Sequence, residues 1–237
     1  MTSESTRARW AGLAYLVVVV TGTFSMGYVP GQLAAPGSLQ TVLANIISHK
    51  WLFSAGIASF MLEQVAFLLL PLLLFRLLNT VHRSVAVVMV ALAITAVPIA
   101  LVGVGHRLDA LWLLTDNGGL SVETARAMAS FSLKSYSHAI FVASMFWGLW
   151  LLPFGYLVIK SGMLSRLLGV LLILGGVGYL VDVFAELLLP EYADMSLSNY
   201  IPLPAALAEM GTCLWLLVMG VRRRGASESV GQLRSAI

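Results

Sequence analysis

Six uninterrupted apolar blocks constrain this chain more than anything else in it, because each is long enough to cross a bilayer's roughly 30 Å hydrocarbon core at about 1.5 Å per helical residue. They run from Trp10 to Tyr28, Trp51 to Leu78, Val85 to Leu114, Phe131 to Ile159, Leu164 to Leu189 and Leu203 to Val221. In lipid a segment must satisfy its own backbone N–H and C=O groups. Each block is therefore predicted to be a helix, and the fold an all-α polytopic membrane helix bundle of six transmembrane helices. Of the 237 residues 59% are hydrophobic and 11% charged, against about 25% charged in an average soluble domain. No connection is long enough to fold a core of its own, so residues 10–222 read as one membrane domain. Residues 1–9 read as a cytoplasmic N-terminus and residues 223–237 as a disordered cytoplasmic tail.

Arg7 and Arg9 followed by an apolar run superficially resemble a secretory signal. The run exceeds the usual core of about 7–15 residues and no A-x-A site follows it, so a retained first helix is expected. Orientation follows from Lys and Arg, which are held on the cytoplasmic side. With the N-terminus inside, ten fall inside (Arg7, Arg9, Arg76, Arg83, Lys160, Arg166, Arg222, Arg223, Arg224, Arg234) and four outside (Lys50, Arg107, Arg126, Lys134). An even number of spans returns the C-terminus to the cytoplasm. The charges sit at helix ends and are not interleaved with aromatics, which argues against nucleic acid as a partner. The lone Cys213 lies inside an apolar block and forms no intrachain disulfide.

The inner turns around Asn79 to Arg83 and Lys160 to Gly162 are tight, whereas outer segments run from Val29 to Lys50 and Asp116 to Ser130. In the first of these, Leu39, Val42, Leu43, Ile46 and Ile47 recur at helical spacing opposite Gln40, Thr41 and Asn45. That pattern predicts an outer-side amphipathic helix, read as a lid on the bundle. Ser121 is placed to cap a further helix that continues into the fourth span. Pro71, Pro98 and Pro153 are expected to kink their spans, and Gly103 and Gly105 make the third the candidate for a local break. Gly175, Gly176 and Gly178 permit close helix approach, within the bundle or to a second copy. No internal repeat of the transporter kind is present.

Ionisable residues inside apolar spans cost about 2.5–3.5 kcal/mol each on insertion scales and are functional candidates for that reason. His106, Arg107 and Asp109 lie near the outer end of the third span, and Lys134 and His138 in the outer part of the fourth. Asp182 and Glu186 lie about 10 and 5 Å inward from Leu189, Glu209 about 9 Å from Leu203 and Glu63 about 18 Å from Trp51, by the helical rise. Asp182 and Glu186 share a helix face, as do Lys134 and His138, and His106 and Asp109, whereas Arg107 and Asp109 point apart. These spacings predict a convergent polar pocket in the outer half of the bundle. Its ligand-binding candidates are Glu63, His106, Arg107, Asp109, His138, Asp182, Glu186 and Glu209.

Five carboxylates against Arg107 and Lys134 leave −3 if all ionise and the histidines are neutral. Protonated carboxyls, charged histidines or a bound cation would each relieve that charge. The structural alternative is that the same groups pair across helices and only fix packing. Two histidines among carboxylates are metal-ligating types, but no HExxH or other compact spacing occurs, so no metal or cofactor is assigned. Trp112, Met145, Trp147 and Trp150 read as lipid-facing or core residues. No Gly-rich phosphate loop and no activated Ser or Cys motif is present.

The segments TGTFSMGYVPGQL from Thr21, HRLDALWLL from His106, FWGLWLLPFGYLVIKSG from Phe146, GYLVDVF from Gly178 and LPAALAEMGTCLWLLVMGV from Leu203 together resemble a bacterial membrane family, domain of unknown function 4386. The resemblance runs from Trp10 to Val221 and through polar as well as apolar positions. It implies a small multi-helix protein of the bacterial cytoplasmic membrane, with Arg107, Asp109, Asp182 and Glu209 at the family's own polar positions. His106 stands where the family commonly has Asn, which weakens the metal reading. The expected function is binding of a small amphipathic or cationic ligand, with membrane lipid as the surrounding partner. An intramembrane acid–base enzyme acting on a lipid-like substrate, a proton-coupled transporter and a structural or sensory subunit are the alternatives.

Overall fold

The computed structural model describes residues 3–35, 39–189, 191–192 and 200–221. Among them there is no strand. Helix α1 (Ser3–Gly22) passes through a π-helical segment, Thr23–Tyr28, into α2 (Val29–Leu33). There follow α3 (Leu39–Ser48), α4 (Lys50–Leu78), α5 (Arg83–Asp116), α6 (Val122–Ser161), α7 (Arg166–Leu188) and α8 (Leu203–Val218). The α1–α2 unit, α4, α5, α6 and α7 are each long and apolar enough to cross a membrane. The chain is a multi-pass membrane protein. The sixth block forms α8, which has 16 residues and so a length of about 24 Å. The tail from residue 223 lies outside the described residues.

The side chains are distributed as lipid demands. Leu167, Leu174, Phe184, Leu187, Leu207, Leu214 and Val218 are exposed, while Glu63, Gln64, Arg107 and Thr212 are buried. In water that pattern would be inverted. Trp10 in the first half of α1, and Trp51, Trp112 and Tyr200 near the opposite end of the bundle, are also exposed, as amphipathic rings are at membrane–water interfaces. Two apolar clusters form the interior. One gathers Tyr15, Phe67, Leu74, Met89, Trp150 and Phe154, the other Val29, Leu43, Ile46, Phe53, Phe60 and Leu113. Trp147 packs against both.

The amphipathic lid forms as expected, with Leu43 and Ile46 of α3 fully covered. Ser121 caps α6, its hydroxyl accepting from the Thr124 N–H at 3.2 Å, and the helix then runs unbroken for 40 residues. The third span does not break: α5 is continuous through Pro98, Gly103 and Gly105. A Cβ on Gly103 would come within 3.2 Å of Tyr136 and Ala139 of α6, so this glycine allows close packing rather than a break. The irregularity falls in the first span instead, at the π segment, which the apolar pattern does not mark.

Small residues set the spacing on the other side of the bundle. A Cβ on Gly148 of α6 would lie 2.6 Å from the Tyr179 Cβ, and one on Gly155 would lie 2.6 Å from the Gly169 carbonyl oxygen. Backbones of α6 and α7 therefore touch along one stripe, and Gly176 belongs to it, 2.7 Å from the Gly148 oxygen on the same measure. Gly175 faces Ala205 of α8, and Gly178 faces Ile201. The three glycines thus serve contacts within the bundle. Gly178 precedes the end of α7 by ten residues, about 15 Å of helix. The chain has therefore already descended well into the bundle before α8 begins. At its far end α8 runs beside the start of α1, with Gly220 against Ser5 and Leu217 against Gly12.

Replacing Gly155 with valine should force α6 from α7 and destabilise the protein by about 1–3 kcal/mol. Gly105→Ala, whose new methyl meets nothing within 4 Å, should be neutral or stabilising by up to about 1 kcal/mol. Melting temperatures of the purified variants in a neutral detergent check both, and equal losses would contradict the packing described.

Candidate functional site

The structure does not gather the ionisable candidates into one pocket. Glu63 of α4 and Glu209 of α8 come together, lining two adjoining cavities of about 140 and 240 Å³. The first is walled by Met26, Phe67, Trp147, Trp150 and Tyr179; the second opens between α1 and α8, beside Tyr15, Gly22 and Met210. Both carboxylates lie near the boundary of the two apolar clusters. The low start of α8 explains the meeting: Leu203 is already inside the bundle, so Glu209, about 9 Å further on, reaches the depth of Glu63.

Local sequence seats the Glu63 carboxylate. Gly22 leaves room for it, since a Cβ there would stand 3.1 Å from Oε1. The π segment begins at the next residue and brings Ser25 inward, fully buried, its Oγ 3.4 Å from Glu63 Oε2 and 3.2 Å from the Gly22 carbonyl. Ser59, one turn before Glu63, donates to the Thr21 carbonyl at 3.1 Å, tying α4 to α1 just ahead of the irregularity. π segments inside helices occur frequently at functional sites. Tyr179 reaches the cavity through the α6–α7 stripe, and Trp150, also in its wall, has an indole N–H with no partner among the described residues.

Neither carboxylate has a Lys, Arg or His within ion-pair distance among the described residues. The chemistry on offer is thus two oxygen acceptors and several aromatic faces, with no fixed counter-charge. That set accepts a cation or protons. No group of three or more His, Cys, Asp or Glu suited to holding a metal occurs among the described residues.

The remaining candidates are dispersed. Arg107 is buried in a separate cavity, described below. His106 and Asp109 approach at 3.9 Å on an outward face where Asp109 is 65% exposed. Asp182 is half-buried and accepts a 2.6 Å hydrogen bond from the Tyr192 hydroxyl. Glu186, Lys134 and His138 are exposed. Tyr15, Ser25, Tyr136 and Tyr179 were not singled out in the sequence; the one signal available was a polar atom set in an otherwise apolar run.

No curated protein and no solved structure matches this chain. A family profile does: the one described as Domain of unknown function (DUF4386) matches residues 10–220, and the chain belongs to that family.

Proposed function

We propose that the chain binds a small amphipathic cation between Glu63 and Glu209. One observation carries the reading: two carboxylates share a cavity inside a membrane protein with no cationic side chain beside either among the described residues. A buried charge without a partner is costly, and a bound cation supplies the partner. Trp147, Trp150, Tyr179 and Phe67 in the wall favour an alkylated ammonium, whose diffuse charge is attracted to aromatic faces. Proton and ligand are then alternative occupants of the same oxygens. The opening between α1 and α8 supports lateral entry of an amphiphile from lipid.

The reading takes the protein as six crossings within residues 10–222, both termini cytoplasmic, in the bacterial cytoplasmic membrane. The ten-to-four division of Lys and Arg supports the orientation, and the return of α8 to the start of α1 supports the even number of crossings.

Octyltrimethylammonium titrated into the purified protein should quench or shift the tryptophan fluorescence saturably at pH 8. Glu63→Gln and Glu209→Gln should each weaken binding more than about tenfold, and lowering the pH to 5 should weaken it in wild type as protons compete for the carboxylates. Equal binding of uncharged octanol, or unchanged affinity in both variants, would sink the proposal. Orientation is checked on whole cells in a Cys213→Ala background. A membrane-impermeant maleimide should label Glu123→Cys directly, and Thr80→Cys only after permeabilisation.

A further inference from the structure

Arg107 occupies a site of its own. It is 3% exposed, and no carboxylate lies within ion-pair distance of it among the described residues. Its guanidinium carbon stands 4.9 Å from the Phe53 ring centre and 4.8 Å from that of Tyr136. Aromatic faces attract the charge but accept no in-plane hydrogen bond from the N–H groups; the Tyr136 hydroxyl interacts with the guanidinium, yet Nη1 has no hydrogen-bond partner among the described residues. An arginine near a helix end can usually extend its head to the interface. This one is held inside, against α4 and α6, and borders a cavity of about 260 Å³.

The rest of the wall is nearly all apolar: Leu33 of α2, Val42 and Ile46 of α3, Phe53, and Leu133 beside Tyr136. Besides Arg107 the polar side chains lining it are Tyr136 and Ser137, and the Ser137 hydroxyl donates to the Leu133 carbonyl at 3.3 Å. The nearest carboxylate in sequence, Asp109, is turned outward toward His106. A fixed cation at one point of an apolar chamber is the complement of an anion with a hydrocarbon tail.

We infer that the Arg107 cavity beneath α3 is a second binding site, for the carboxylate head of a single-chain amphiphile such as a fatty acid, with the tail against Leu33, Val42 and Ile46. A planar carboxylate matches the guanidinium fork and can take two of its donors. The site is independent of the Glu63–Glu209 cavity and of opposite charge preference.

The test is calorimetric titration of dodecanoate into the purified protein in a neutral detergent. Dodecanol supplies the tail without the charge, acetate and inorganic phosphate the anion without the tail, and dodecyl phosphate the tail on a different head. Saturable binding of dodecanoate is expected, with dodecanol, acetate and phosphate all weaker by about tenfold or more, and dodecyl phosphate no tighter than dodecanoate. Arg107→Met should weaken dodecanoate binding by at least about the same factor. Val42→Trp, which narrows the chamber and leaves the charge in place, should also weaken it, so the inference does not depend on the Arg107 variant folding. Glu63→Gln should leave dodecanoate affinity unchanged, whether or not that variant loses cation binding. Absence of saturable dodecanoate binding overturns the inference, as does equal binding of dodecanol or unchanged affinity in folded Arg107→Met. Equal binding of acetate or phosphate would overturn the role of the tail, and tighter binding of dodecyl phosphate the choice of a carboxylate.

Discussion

A bilayer core offers no hydrogen-bond partner to anything placed in it, and the rest of this architecture follows from how each polar group answers that constraint. The backbone answers with helices. Several hydroxyls of the spans answer locally, donating to carbonyls of their own helix: Thr21 to Val17 at 2.6 Å, Thr95 to Ala91 at 2.8 Å, Ser144 to Phe141 at 2.7 Å and Ser161 to Val158 at 2.9 Å. A carboxylate cannot do this, being an acceptor among backbone carbonyls that are acceptors too. An arginine has more donors than one turn of helix can absorb. Glu63, Glu209 and Arg107 are therefore the groups that local structure leaves open, and the cavities of the bundle lie beside them.

Packing determines which of these groups meet. The glycine stripe between α6 and α7 brings two backbones into contact, and the close seat of Ala205 on Gly175 holds α8 against α7. With α8 also pinned to α1 at Gly12 and Leu217, the opening between α1 and α8 lies nearer the beginning of α8, beside Glu209. The same small residues that tighten one half of the bundle thus leave room in the other.

The chain's apolar blocks, the Ser121 cap and the Leu39–Ile47 periodicity were all legible in the sequence because each is a local signal, written within a few turns of helix. The site was legible only in part. Residue depths were counted from the ends of blocks, which holds for Glu63 on a full-length helix and fails for Glu209, whose helix starts well inside the bundle. Spacing turned Arg107 away from Asp109, but nothing in the spacing pointed to the rings of Phe53 and Tyr136 that the structure places beside it. Asp182 found its partner in Tyr192, outside the apolar blocks. The π segment has no sequence signature of its own, since Thr23–Tyr28 would be equally acceptable as ordinary α-helix.

That segment joins the two cavities mechanically. Thr23 and Met26 belong to the walls beside Glu63, and the helix it feeds carries Pro30 and Leu33 to the chamber of Arg107. A π turn holds more residues than an α turn, so rewinding it as α would change the register of everything beyond it, by about 100° of rotation for each residue displaced. Such a slip would withdraw Ser25 from Glu63 and swing Pro30 and Leu33 around the helix axis at the same time. Two chambers of opposite chemistry are built on one stretch of six residues, so a change in its winding, unlike the loss of either charge, would disable both at once.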